Sequence, residues 1–71
     1  METIKPGVYR HFKGNLYRVL FTAQHSETRE EMVVYQALYG ERGYWVRPAA
    51  MWLEAVKREN YTGPRFTWIE P

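Results

Sequence analysis

The sequence predicts an all-β protein, a small SH3-like partly open barrel of about five strands with one short helical turn. Three observations lead there. Short runs rich in Val, Tyr, Phe and Trp recur along the chain, with Gly, Pro and Asn between them. No internal repeat, low-complexity tract or linker interrupts that rhythm. Finally, 71 residues make one domain, 1–71 with a core over 8–69. A chain this short buries only about 60% of the surface its unfolded form exposes. One small sheet must then curl to cover its own apolar face.

Val8 to Phe12 and Leu16 to Ala23 flank Lys13-Gly14-Asn15, a Gly-containing loop of hairpin type. With that loop, antiparallel register sets Phe12 opposite Leu16, Arg10 opposite Arg18 and Val8 opposite Leu20 on one face. His11 then faces Tyr17, and Tyr9 faces Val19, on the other. Like charges directly opposite repel, so Arg10 and Arg18 should reach water, a carboxylate or an anionic ligand, and theirs is not the buried face.

Met32 to Tyr39 and Tyr44 to Arg47 flank Gly40-Glu41-Arg42-Gly43 as a second hairpin. A four-residue loop pairs Tyr39 with Tyr44, Leu38 with Trp45 and Ala37 with Val46. Pro48 suits the first turn of a helix and the following AAMWLEAVK contains good helix formers. A helix of one or two turns competes with a helical turn at 48–52 followed by a short strand from Leu53 to Val56. The need to close a barrel favours the second. Asn60 to Pro64 reads as a turn from its Asn, Gly and Pro content, and Arg65 to Ile69 as a last, edge-like strand with Phe66 and Trp68 on one face.

The composition narrows the chemistry. There is no Cys for a disulfide and no Cys/His set for structural zinc, so stability must come from packing. The aromatic share of 17% provides the material, since each such side chain can bury roughly 150 to 250 Å². No run of about 18 apolar residues is present to span a membrane. METIKPGVY lacks an apolar leader core, and with no Cys the expected location is the cytoplasm. Net charge is +2, all eight acids are Glu, and seven of the ten cations are Arg. That balance permits an anionic partner but falls short of a clustered nucleic-acid footprint. The missing Asp weakens any hard-metal site, and neither a metal nor a cofactor is expected.

In order and spacing, the strings YRHFKGNLYRVL, AQHSET, VVYQALYG, WVRPAAMW and PRF resemble the DUF1653 family of small, mostly bacterial domains. The resemblance covers Tyr9 to Phe66, and five ordered motifs are far more specific than any one alone. Trp52 stands where such proteins commonly show Phe. The resemblance implies no established function and carries over no catalytic residues.

His25-Ser26-Glu27 invites comparison with a hydrolytic set. A nucleophilic Ser needs its base within about 2.6 to 3.2 Å, however, and neighbours on an extended chain point to opposite faces. The Gly-x-Ser-x-Gly elbow is absent as well. A local role is simpler: Ser26 and Thr28 hydroxyls close a turn on nearby backbone while His25 and Glu27 brace it. The same loop, over 24–30, is also a candidate recognition surface. His11 is expected to pack beside Tyr17 as a half-buried polar residue.

The candidate ligand-binding residues are therefore Arg10, His11, Tyr17, Arg18, His25, Ser26, Glu27, Thr28, Tyr35, Trp45 and Arg47. With Arg65, Tyr9 and Tyr39 they would make an Arg and aromatic surface suited to bases or phosphates. The plainer alternative has the arginines paired with Glu27, Glu30, Glu31 or Glu54 and the aromatics in the core. A binding module for nucleic acid, another anion or a protein segment is the leading expectation. A small enzyme with His25 as general base and Glu27 or Arg47 as partner is the second, and a homodimer through an exposed strand at 65–69 the third.

Overall fold

A computed structural model describes residues 4–71. Met1 to Thr3, part of the stretch considered for a leader, lie outside the described residues. Seven strands and one short helix follow in the order β1 (Gly7–His11), β2 (Leu16–Gln24), β3 (Glu31–Ala37), β4 (Tyr44–Pro48), α1 (Ala49–Trp52), β5 (Ala55–Arg58), β6 (Tyr61–Pro64) and β7 (Phe66–Glu70). Five of them form an antiparallel sheet in the order β4-β3-β2-β1-β7, and β5-β6 is a separate hairpin. The protein is all-β as expected. The sheet does not close into a barrel, since β4 and β7 remain its two edges. No helix among the described residues is long and apolar enough to cross a membrane.

The first hairpin forms two residues out of the expected register. Tyr9 pairs with Tyr17, Arg10 with Leu16 and Val8 with Arg18, so the two arginines do not oppose each other. The cause is Phe12. Its amide donates to the Arg65 carbonyl at 2.9 Å instead of joining β2, and its ring stacks on Tyr61 at 5.6 Å. The turn closes one residue earlier, with the His11 amide on the Asn15 carbonyl at 2.8 Å. A shift of two preserves side-chain parity, so the face bearing Arg10 and Arg18 is still not the core face.

The second hairpin is corrected by three residues, which does change parity. Tyr35 pairs with Trp45, Val34 with Val46 and Gln36 with Tyr44. Leu38 and Tyr39 are drawn to β2 instead: the Leu38 amide donates to the Leu16 carbonyl, and the Tyr39 and Tyr17 hydroxyls meet at 2.9 Å. The loop lengthens to 38–43, with positive φ at Gly40 and Arg42. After β4, a helical turn and then a strand do follow. The expected turn at 60–64 is a strand, however, because the reversal is confined to Glu59-Asn60 and Arg58 already pairs with Tyr61.

Alternation now builds the core. Tyr9, Tyr17, Val19, Val33, Tyr35, Phe66 and Trp68 share the inner face, and Ile4, Ala49 and Trp52 pack onto it. Trp52, only 2% exposed, lies parallel on Phe66 at 3.7 Å between ring centroids. It meets Tyr9 edge-on at 5.4 Å and Tyr35 at 5.0 Å. Three strands are thereby fastened to one side chain. Gly7 is needed where β1 crosses β7: its φ is +135°, and a Cβ there would fall 2.5 Å from the Glu70 carbonyl oxygen.

The buried indole N–H of Trp52 has no hydrogen-bond partner among the described residues. Truncating Trp52 to Ala is expected to cost about 3 to 5 kcal/mol in denaturant melts. Trp52→Phe should cost less than about 1.5 kcal/mol, because it also removes a buried unsatisfied donor. Met51→Ala, at a position 45% exposed on the same turn, should stay within about 0.5 kcal/mol.

Candidate functional site

The inner face runs out toward solvent beside the β1–β2 turn, and charge collects there. His11 lies half-buried, with its ring 5.0 Å from Phe66, 4.6 Å from Phe12 and 6.3 Å from Tyr17. Its Nδ1 accepts the Lys13 amide at 3.1 Å, which shapes the turn. Burial lowers its proton affinity below the ordinary imidazole range, and the positive charges of Arg65, Lys13 and Arg47 lower it further. Three cations from three parts of the chain thus surround one imidazole.

Each cation is held by its own element. Arg47 reaches inward from edge strand β4 until its guanidinium stands 5.8 Å over Phe66 on the opposite edge strand, a span that only a strongly curled sheet permits. Arg65 lies between β6 and β7. Its amide donates to the Glu54 carbonyl, its carbonyl accepts the Phe12 amide, and its Nη2 donates to Glu54 Oε1 at 3.3 Å. Its Nε is buried and finds no acceptor among the described residues. Lys13 and Arg58 stand over the Phe12 ring at 5.9 and 5.7 Å, and Tyr61 stacks on that ring from the β5-β6 hairpin. Cations above aromatic faces are attracted by the ring quadrupole, so this end is at once basic and flat-sided.

Of the residues singled out by sequence, His11, Tyr17, Tyr35 and Arg47 come together on this inner face. Tyr17 is hydrogen-bonded to Tyr39, and burial together with that bond pushes its phenol up to about 12. Tyr35 serves the core through Trp52 and Tyr17. Trp45 shares that face but lies on the β4 edge, 60% exposed. Arg10 and Arg18 belong to the outer face, across from Leu16 and Gln36. They do not join the cluster. Of the expected arginine pairings, only Arg65 with Glu54 forms among the described residues.

The 25–28 loop stands at the far end of β2 from Tyr17, roughly 25 Å away at the rise of an extended strand. His25 organises it. Its Nδ1 accepts the amides of Glu27 at 3.1 Å and Thr28 at 3.4 Å, while its backbone bonds Glu30 and Arg29. Thr28 Oγ1 accepts the Glu30 amide, and Arg29 takes a positive φ of 64° to complete the reversal. Ser26 and Glu27 point into solvent. With Nδ1 occupied by backbone donors, only Nε2 of His25 faces outward chemistry. No group of three or more His, Cys, Asp or Glu close enough to hold a metal occurs among the described residues.

Lys13, Phe12, Arg58 and Tyr61 were not among the residues chosen from sequence. Phe12 reads as a ladder residue and Tyr61 as a turn residue, so the sequence pattern hides their stacking. The signal available was the PRF string, whose Arg65 lies between two strands and meets Phe12 through its carbonyl.

A family model described as a protein of unknown function, DUF1653, matches residues 7–68. The chain is also similar to a crystal structure of a DUF1653 protein from Bordetella bronchiseptica. The two are 39% identical with a TM-score of 0.89, over 99% of this chain and 92% of that one. No curated protein matches the chain.

Two measurements follow from these contacts. Because His11 has a depressed proton affinity in the fold, the unfolded chain binds more protons below the ordinary value of 6.5. Stability is thus held above that pH and lost as pH falls toward the lowered folded value. Melting temperature should drop between about pH 7 and about pH 5, and His11→Gln should flatten that drop. In the loop, His25→Ala should cost about 1 kcal/mol by removing the side-chain acceptor that closes the turn on two amides, whereas Glu27→Ala should stay within about 0.5 kcal/mol.

Proposed function

The chain belongs to the DUF1653 family, and since membership there assigns no chemistry, we propose from its geometry that it is a binding module for single-stranded nucleic acid. The observation that carries this reading is the convergence of Lys13, Arg47 and Arg65 on His11, beside the rings of Phe12 and Phe66. Phosphates are attracted by clustered cations, and bases stack on aromatic and guanidinium planes in sequence-tolerant fashion. Arg65, tied to Glu54 through its Nη2 and its amide, is fixed in place before any ligand arrives. Arg47 brings a bidentate fork suited to a phosphate.

A strand so bound has its backbone along the cations and its bases against the Phe12 and Tyr61 end of the face. No step of this kind needs a nucleophile or a general base, so the module acts by holding and not by turnover. The outer-face residues Arg10 and Arg18 take no part in it, and the 25–28 loop acts as a brace at the other end of the sheet.

Fluorescence anisotropy of the full chain with a labelled single-stranded oligonucleotide tests the proposal. Affinity should fall steeply between roughly 50 and 300 mM salt, and Arg47→Gln or Lys13→Gln should each weaken binding several-fold and reduce the salt slope by about 0.7. Arg10→Gln on the outer face should leave binding unchanged. A titration that is flat across that salt range, or binding fully displaced by inorganic phosphate alone, would count against a nucleic-acid strand.

A further inference from the structure

We propose that the chain self-associates through its β4 edge, with a second copy of itself as the occupant. Exposed edge strands invite pairing, and proteins guard them with charge, Pro or bulges. The β7 edge is guarded. Pro64 and Pro71 flank it, Glu70 ends it, and its pairing with β1 is irregular between Val8 and Tyr9. The β4 edge is bare, with Tyr44, Trp45 and Val46 consecutive, uncharged and 67%, 60% and 62% exposed.

The phase of the ladder shows which backbone groups are free. The Ala37 amide donates to the Gly43 carbonyl at 3.1 Å, while Gln36 faces Tyr44 and Val34 faces Val46. Hydrogen-bonded and non-hydrogen-bonded pairs alternate in an antiparallel ladder. Trp45 and Arg47 therefore bond inward to β3, and Tyr44 and Val46 turn N–H and C=O outward. Pro48 occupies the next outward position, where it has no N–H to offer and ends the pairing surface.

A second copy fits this edge in one register. A two-fold axis through Trp45 sets Tyr44 of each copy opposite Val46 of the other, so that all the outward groups of both residues are bonded. Trp45 then faces its own counterpart across the axis. On the outer face, Phe21, Val34 and Val46 already form an apolar row across three strands, and Tyr44 of the second copy extends it. Aromatic and β-branched pairs of this kind stabilise antiparallel sheets. Charge agrees, because Arg42 and Arg47 fall opposite Pro48 and Gly43 of the second copy and no like charges meet. Neighbouring registers are worse. Centring on Tyr44 calls on Arg42, whose amide is bound to Tyr39 at a φ of 55°. Centring on Val46 sets Tyr44 against the donorless Pro48.

Sedimentation equilibrium of the full chain over a concentration series tests this pairing. Wild type should show a monomer–dimer equilibrium. Val46→Lys and Tyr44→Glu should each weaken it about tenfold or more, since symmetry removes two pairs at once, with melting curves confirming that each variant folds. An equimolar mixture of the two variants should regain association, because Lys at 46 in one copy then faces Glu at 44 in the other. A wild type that stays monomeric up to about 1 mM, a Val46→Lys protein that dimerises as well as wild type, or a mixture no stronger than its components would overturn the proposal.

Discussion

The stacking of Trp52 on Phe66 is the contact on which the other arrangements depend. A five-stranded sheet of this size, left flat, would expose one whole face to water, and the chain has no disulfide to hold it curled. Trp52 arrives from a helix of only four residues and rests against rings from β1, β3 and β7. It thereby draws the β7 edge toward the side from which β4 and α1 descend. Because the sheet is curled rather than closed, both edges remain available, and Arg47 can cross the concave side to stand above Phe66. The basic cluster is a consequence of the same curling that makes the core.

Much of this was legible in the residues and some was not. Alternation identified the five strands of the main sheet, their two hairpins and the shared face of Phe66 and Trp68, since alternation within one strand does not depend on its pairing register. It missed the Tyr61–Pro64 strand, which reads as a turn. What failed were the hairpin lengths. Phe12 looks like a strand residue by composition, yet its amide and ring are both claimed by the segment at 61–65, more than forty positions away. Tyr39 likewise looks like the end of a strand but is claimed by the Tyr17 hydroxyl. Distant partners of this kind leave no local pattern. Trp52 could not be picked out as the central core residue either, because a single helical turn is too short to show a period, and Met51 and Leu53 beside it are exposed.

The candidate site was legible in kind and misplaced in part. Arginines and aromatics were expected to share a surface, and some do, but the sheet sorts them by parity. Arg10 and Arg18 occupy even-numbered outer positions of β1 and β2, whereas Tyr9, His11 and Tyr17 occupy the odd-numbered inner ones. Arg47 turns inward only because the second hairpin shifts by an odd number of residues, which exchanges the faces of β4. The same shift turns Val46 and Tyr44 outward and leaves the β4 edge apolar. One register change thus governs both the composition of the basic cluster and the character of the free edge.

His11 joins the fold to the site. Protonating it adds a fourth positive charge among Arg65, Lys13 and Arg47, and it removes the lone pair with which Nδ1 holds the Lys13 amide. Both effects oppose the charged form, and Glu54, paired with Arg65, offsets only part of the local field. An anion placed among these cations would act in the other direction. Its charge would weaken the repulsion felt by His11 and raise the proton affinity of the ring. Linkage requires the converse, that a protonated His11 strengthens attraction for the anion. The imidazole that costs the fold stability in acid is therefore also the group whose uptake of a proton from solvent an anion placed there would favour.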